Sequence, residues 1–293
     1  MKRAISGLIG LGAGLAAFGI GLGYIGALHP VGDSVAAFRW ELALILLALS
    51  GLLAKLGARR GAALGICVAL VAALPILWQM RPQAGGGPIS LYQKNVWIGN
   101  PDWEALLADI RDADPDLIAV EEVHRRHDPL IAALLATHPH RVACRGGVQI
   151  LSRLPMIEGS ARCAPESVLP AAIMQVEAPG GPLWVVSIHL HWPWPYAQAD
   201  HAAAIADVLA GLDAPVVMAG DFNMPPWGHS VRRLARAADA RRLGPLRPTH
   251  ALRGFPARLV LDHVYVPEGW AGSVTRRPLI GSDHYGQFAR FGP

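Results

Sequence analysis

The chain has 293 residues, 52% of them hydrophobic and 16% charged, with a positive mean hydropathy of +0.31. That is too apolar for an ordinary soluble protein. The net charge of +4 belongs to the N-terminal part: residues 1–88 hold seven Lys/Arg against two Asp/Glu, and the remainder nineteen against twenty, so the footprint of a strong duplex binder is missing from the larger part.

Residues 4–38 carry one charge, Asp33, and residues 42–54 and 61–80 carry none. Ala4–Leu28 is long enough to cross a hydrocarbon core of about 30 Å at about 1.5 Å per residue. Gly10/Gly14 and Gly19/Gly23, each four apart, offer a small-residue face for close packing in lipid. A cleaved signal peptide is the alternative, but the run exceeds the usual apolar core and further apolar runs follow. Gly61–Met80 also spans, with Pro75 tolerable near its end. Leu42–Ala54, between them, spans only if Arg39, Glu41 and Lys55 sit at the interfaces, and a re-entrant segment competes. The expectation is about three transmembrane helices within 1–81. Lys2, Arg3, Lys55, Arg59 and Arg60 lie on the cytoplasmic side by charge bias, which with three spans leaves the C-terminal domain outside, in the periplasm for a bacterial inner membrane, and with two spans in the cytoplasm. Residues 82–88, Pro-Gln-Ala-Gly-Gly-Gly-Pro, read as a flexible tether. Cys67 falls in the third span. Cys144 and Cys163 either pair in an oxidising compartment or are two small buried thiols, and their spacing does not choose.

From Ile89 onward short β-rich runs alternate with amphipathic helices. Strands are expected at 89–97, 116–121, 147–152, 171–177, 183–189, 215–220, 259–266 and near 285–291, with helices at Trp103–Asp112, Pro129–Thr137 and Ala197–Leu212. Close strand pairs and strand–helix–strand passages both occur, which favours two mixed sheets with helices outside.

Five polar islands sit at the ends of these strands. In Gly220-Asp221-Phe222-Asn223, Asp221 and Asn223 are two apart and share a face, a pairing able to hold and deprotonate water, although Asp and Asn are also common in plain turns. Glu121 and Glu122 close an apolar strand. Alternation sends one each way, and Glu122 suits Mg²⁺, which prefers carboxylate oxygens, while Glu121 reads as solvated surface. Asp262, a charge within the strand Leu259–Val266, needs a partner to offset its desolvation, and His284 of Ser282-Asp283-His284 is the natural one. Asp283 is placed to orient the waters of a metal or to bind a second ion. His189 and Asn95 end their own strands and gain weight only from the company of the others.

In this order the islands resemble the endonuclease/exonuclease/phosphatase superfamily, the DNase I-like fold, over residues 89–293. The segments that carry the resemblance are Lys94-Asn95-Val96, Asp116–Glu122, Gly147–Pro155, Ser187–Leu190, Gly220–Asn223, Arg247–Thr249, Leu261-Asp262 and Ser282–His284. The resemblance implies a four-layer α/β/β/α sandwich preceded by transmembrane helices, and Mg²⁺-assisted in-line hydrolysis of a phosphate ester, with Mn²⁺ able to substitute. It carries Glu122 over as metal ligand, Asn95 as support for metal and phosphate, Asp221 with Asn223 as the water-positioning group, and His189 and His284 as stabilisers of the phosphate, with Asp262 orienting His284. Glu121 stands where the family often has glutamine, and His263 where tyrosine is frequent. A domain of 205 residues leaves little room for inserted DNA-gripping loops.

Around the site, Trp192, Trp194, Tyr196 and Trp227 are placed to stack a base, to rest in a lipid headgroup layer, or to pack and steady their loops. Arg125, in His124-Arg-Arg-His127, is a candidate phosphate contact on what is otherwise a solvated loop. The stretch Arg232–Arg247 reads as a charged outer helix face. Three functions follow: a membrane-tethered phosphodiesterase or nuclease, a phosphohydrolase of lipid or small molecules at the bilayer surface, and a non-catalytic binding protein on the same scaffold.

Overall fold

A computed structural model describes residues 2–167, 169–251 and 258–293. Its N-terminal part is helical: α1 (Lys2–Leu22), α2 (Pro30–Ala36), α3 (Arg39–Lys55) and α4 (Arg59–Gln79). Helices α1 and α4 are each long and apolar enough to cross a membrane, and α2 with α3, bent by 63°, makes a third crossing if the pair is one span. The first helix stops at Leu22, short of the expected Leu28. Its small-residue face is the expected one at Gly19 and Gly23, which meet Leu42 of α3 and Ala36, but not at Gly10 and Gly14, which face open space while Gly12 meets Leu49. A register of one helical turn between small residues was readable, but the side on which α3 would lie was not.

The remaining elements in chain order are β1 (Ile89–Asn95), α5 (Trp103–Ala113), β2 (Leu117–Glu121), α6 (Asp128–Leu135), β3 (His140–Ala143), β4 (Gln149–Ser152), β5 (Arg162–Ala164), β6 (Ala171–Ala178), β7 (Gly181–His189), α7 (Gln198–Ala210), β8 (Val216–Asp221), α8 (His229–Ala237), β9 (Ala240–Arg242), β10 (His250–Ala251), β11 (Arg258–Leu259), β12 (Asp262–Pro267), β13 (Ala271–Arg277) and β14 (Gly286–Gly292). Two six-stranded sheets have the orders β13-β14-β1-β2-β4-β3 and β5-β6-β7-β8-β12-β9. Within them β1 runs parallel to β2, β7 runs parallel to β8, and the other pairs are antiparallel.

The layers follow from period-two alternation. Ile89 and Leu91 of β1, Leu117 and Ala119 of β2, Val185 of β7, Val217 and Ala219 of β8 and Val264 and Val266 of β12 fill the space between the sheets. The opposite face of the first sheet, with Tyr92, Ile118 and Val120, packs on Leu106 and Ile110 of α5 and Leu130 and Leu134 of α6. The opposite face of the second, with Val186, Ile188 and Met218, packs on Ile205 and Leu209 of α7 and Val231 and Leu234 of α8. The result is the four-layer α/β/β/α sandwich. A disulfide between Cys144, after β3, and Cys163, in β5, joins the two sheets at one edge with a Cα–Cα distance of 5.7 Å.

The helical part is fastened to the sandwich. Asp33 of α2 is buried and accepts from the backbone N–H of His229 at 2.8 Å and from the backbone and hydroxyl of Ser230 at 3.1 and 3.2 Å. Helix α8 has no side-chain cap of its own at Gly228, so this carboxylate from another layer satisfies its first free donors and opposes its dipole. The C-terminal end of α4 takes part as well, the Gln79 carbonyl accepting from Leu246 N at 2.8 Å. Residues 82–88, expected to be a free tether, are seated on the domain. Gln83 accepts from Gly244 N at 2.7 Å, the Gly85 carbonyl accepts from Ser273 Oγ at 2.8 Å, and Gly87 lies too close to Phe291 for any side chain.

Candidate active site

The same alternation that fills the core carries the site. Continuing each inward row by two residues turns apolar into polar: Leu91 leads to Gln93 and Asn95, Ala119 to Glu121, Val185 to Ser187 and His189, Ala219 to Asp221, and Val264 to Asp262. Strand register then aligns them. Asn95 lies beside Glu121 in one sheet, while Asp221 lies beside both His189 and Asp262 in the other. Two polar rows therefore face each other at one end of the inter-sheet layer.

Three backbone features place the rest. Glu122 has φ +59°, a left-handed turn that breaks alternation and sends its carboxylate toward Asn95 and His189. Gly147 permits that turn, because a Cβ there would collide with the backbone of Glu122 and Val123. Gly220, at φ +148°, lies against the Ile188 carbonyl with no room for a side chain, which lets β8 and β7 close together at the site.

Asn95 is the hub of the first row. Its Nδ2 donates to Glu122 Oε1 at 2.9 Å and to Asp221 Oδ2 at 3.1 Å, and its oxygen accepts from Trp97 N at 2.9 Å. The side chain expected among the metal ligands thus steadies two carboxylates and turns its oxygen away from them. Glu122 Oε2 accepts from Ile98 N at 3.0 Å. His189 Nε2 stands 3.9 Å from Glu122 and 3.8 Å from Asp221, and its buried Nδ1 has no protein partner. Asn223 donates its backbone N–H to Asp221 Oδ1 at 2.8 Å and its amide to the Leu190 carbonyl at 2.7 Å. Burial pushes the Asp221 carboxyl up to about 6, against the pull of His284.

Asp262 and His284 meet at 2.8 Å through Oδ2 and Nδ1, and His284 Nε2 lies 3.7 Å from Asp221. Burial disfavours a charged imidazole, yet Asp262 and Asp221 together raise His284 to about 10, so the ring is a cation at neutral pH. Burial would raise Asp262, but the charge and hydrogen bond of His284 bring it below the ordinary carboxylate range. Two loops hold this pair. Thr249 Oγ1 accepts from the backbone of Leu261 and Asp262 at 3.0 Å each, and Ser282 Oγ donates to the Asn95 carbonyl at 2.8 Å while accepting from His284 N at 3.0 Å.

Several participants were not anticipated. His250 packs edge-on against His284 with ring centroids 4.6 Å apart, and its Nε2 lies 3.9 Å from Asp283. Lys94 is fully buried and clamps the last catalytic loop, donating to the carbonyls of His284 at 2.8 Å and Pro278 at 2.9 Å. Gln93 links Glu121 Oε2 at 2.9 Å to Asp262 Oδ1 at 3.1 Å. The only clues to these residues were their positions in or beside the matched segments Lys94–Val96 and Arg247–Thr249.

Glu121 corrects an expectation. It is wholly buried between the sheets, where Ser187 Oγ donates to it at 2.8 Å, and burial pushes its carboxyl up to about 8. A neutral acid there has the shape of the glutamine it replaces. Of the peripheral residues, Arg125 is exposed in a short 3₁₀ turn. Trp227 donates its indole N–H to the Ala36 carbonyl at 2.8 Å, and the Trp192 ring lies 6.3 Å from that of Phe38, so both rings are engaged by the helical part and not laid open as a stacking platform.

The donor chemistry fits a hard divalent cation. The carboxylates of Asp221 and Asp262 bring oxygens within 4.8 Å of each other on either side of the His284 ring, and Asp283 lies within the same distance of His250 and His284. Part-buried Glu122 adds a carboxylate beside Asp221 across the Asn95 amide, a concentration of negative charge that His284 alone does not offset.

Solved structures share this fold at low sequence identity. TDP2 of D. rerio complexed with single strand DNA product is 15% identical, with 70% of this chain and 99% of that chain covered and a TM-score of 0.56. Sphingomyelinase C from Streptomyces griseocarneus is 17% identical, with 69% and 98% covered and a TM-score of 0.51. Beta toxin from Staphylococcus aureus with bound magnesium ions is 14% identical, with 69% and 99% covered and a TM-score of 0.52. No curated protein sequence matches the chain. Residues 93–284, more than half of the chain, match the model of the Endonuclease/Exonuclease/phosphatase family, and the chain belongs to that family.

Proposed function

We propose that the chain is a membrane-anchored phosphodiester hydrolase dependent on a divalent cation, Mg²⁺ or in its place Mn²⁺. One observation carries this reading: His189 lies within 4 Å of both Glu122 and Asp221, which the Asn95 amide bridges, beside an Asp262–His284 ion pair at one end of the inter-sheet layer. Membership of a family of phosphoester-hydrolysing enzymes supports it.

Glu122 would hold the cation, with Asn95 steadying its carboxylate and Asp283 a further carboxylate available to it. When bound, the cation supplies charge to a phosphate oxygen. The chain's own groups do the rest. Asp221, steered by Asn223, positions a water molecule and takes its proton. Its raised affinity for protons suits a base working near neutrality. The oxygen of that water bonds to phosphorus in line as one ester P–O bond breaks. The imidazolium of His284, with His189 opposite, meets the charge that grows on the phosphoryl oxygens. The departing alkoxide takes up a proton from solvent and Asp221 returns the one it removed to solvent, so the products are an alcohol and a phosphomonoester.

The orientation is part of the proposal. Lys2, Arg3, Lys55, Arg59 and Arg60 occupy the helix ends away from the sandwich, which favours a cytoplasmic side there and a periplasmic domain in a bacterial inner membrane. The Cys144–Cys163 bond fits an oxidising compartment. Full-length protein assayed on bis(p-nitrophenyl) phosphate should turn over with Mg²⁺, stop with a chelator and lose turnover in Asp221→Asn. Undiminished hydrolysis by that variant would remove the reading. Among structural relatives one is complexed with a single strand DNA product and another is named a sphingomyelinase.

A further inference from the structure

Three helix ends meet the sandwich on one side: the C-terminal ends of α1 and α4 and the N-terminal end of α3. Arg39 at the start of α3 donates to the Gly23 carbonyl at 2.8 Å, and its guanidinium lies 4.0 Å from the Tyr24 ring and 5.8 Å from that of Trp227. The loops that run out of the catalytic centre end at this junction. The one leaving His189 brings Trp192 to Phe38 and the backbone of Trp194 to Ser34 Oγ, its N–H donating at 3.0 Å. The one leaving Asn223 brings Trp227 to Ala36. A cavity of about 60 Å³, lined by Ala37, Trp40, Ile76, Met80, Pro225 and Trp227 among others, continues the apolar seam between helices and domain. The mouth of the site is therefore held at the level where the membrane helices end.

The surface at that level is apolar. Among the described residues beyond 88, the exposed large hydrophobic side chains are Ile98, Trp194 and Tyr196, at 50, 52 and 58% exposure. All three flank the site: Ile98 follows the Trp97 turn and its N–H binds Glu122, and the other two lie on the His189 loop. Exposed Tyr24, Ile25 and Leu28, between α1 and α2, extend the same belt. Aromatic rings with one polar edge, placed at the ends of membrane helices, match the headgroup layer of a bilayer. A long polyanion reaching the same mouth would lie against an anionic membrane surface, and the domain beyond residue 88, with nineteen Lys/Arg against twenty Asp/Glu, exerts no net attraction on it.

We propose that the rim formed by Trp194 and Tyr196 rests in the headgroup layer, and that the phosphodiester presented to the site is that of a membrane phospholipid. The proposal rests on the hydrolytic reading above and names its substrate class.

Two measurements test it. In nanodiscs, full-length protein carrying Cys67→Ser and a bimane label on Tyr196→Cys should be quenched about twofold or more by lipids with doxyl groups near the headgroup end of the acyl chain. Equal fluorescence with and without doxyl lipid overturns the placement. In proteoliposomes of phosphatidylethanolamine and phosphatidylglycerol, the wild-type chain should cleave phospholipid. The double variant Trp194→Ala/Tyr196→Ala should lose about tenfold on vesicles while staying within about twofold on bis(p-nitrophenyl) phosphate. Equal loss on both substrates, or cleavage of single- or double-stranded oligonucleotides with phospholipid left intact, overturns the substrate class. Turnover of none of these substrates sinks the hydrolytic reading and with it the substrate class, while the quenching still decides where the rim lies.

Discussion

Nδ1 of His284 lies 2.8 Å from Oδ2 of Asp262, although 22 residues separate them and the two flanking strands, β14 and β12, belong to different sheets. The pair spans the sandwich at its catalytic end. Replacing Asp262 with asparagine keeps the shape and removes the charge that holds the proton on His284. The expected loss in kcat is about 10²–10⁴-fold, with the thermal midpoint little changed. Titration of His284 by NMR should show its pKa falling from about 10 toward the ordinary imidazole range. An unchanged titration would show that Asp262 does not charge the ring.

Asn95 bridges Glu122 and Asp221, the carboxylates proposed beside the cation. Asn95→Ala should therefore raise the Mg²⁺ concentration for half-maximal activity by about 10–100-fold and leave some activity at saturation. Chelation should abolish turnover in the wild type, and either Mg²⁺ or Mn²⁺ should restore it. A metal titration of bis(p-nitrophenyl) phosphate hydrolysis reads both effects.

Glu121 sets a pH dependence of stability. Its carboxyl is raised from 4.5 to about 8 by burial, so between those values the folded chain keeps a proton that the unfolded chain releases. Stability from this group is present below pH 4.5 and declines as pH rises toward about 8, with a slope of at most about 1.4 kcal/mol per pH unit. Glu121→Gln, neutral at every pH, should flatten that decline while Gln93 and Ser187 keep a partner. Thermal midpoints measured across this window, in chelator so that metal binding does not contribute, decide it. A decline as steep in the variant as in the wild type would assign it to another group.

Cys144 and Cys163 close a loop between residues 19 apart and tie the two sheets. Reduction, or Cys144→Ser with Cys163→Ser, should cost about 3 kcal/mol and lower the thermal midpoint by roughly 10 °C. The check is differential scanning fluorimetry in detergent with and without reductant.

Much of the catalytic end was legible because strands repeat every two residues. Asp221 with Asn223, His189 after an apolar run and Asp262 within one could be assigned to strand ends, and their convergence needed only strands with a common polar end. The long N-terminal helices were legible because runs such as Gly61–Met80 are apolar and uncharged throughout. Alternation set Glu121 and Glu122 on opposite faces, but it did not foresee the left-handed turn that brings Glu122 back toward Asn95 and His189. It could not say which side of β2 was interior, so Glu121 was assigned to solvent when it lies between the sheets. The weak edge strand β13, half exposed and closed by two arginines, lacked the apolar signal of the others.

What only the tertiary structure decided are the contacts between distant segments, because no local pattern encodes a partner almost two hundred residues away. Asp33 shows it best. A lone acid in an apolar run reads as a liability for a membrane span. It becomes intelligible once the first turn of α8, with its backbone donors unsatisfied, is set against it. The covalent order of the chain determined the chemistry available at the strand ends, through alternation and apolar run length. How the N-terminal helices seat against the sandwich came from packing across layers, where burial makes an unpaired polar group costly and so selects one docking geometry.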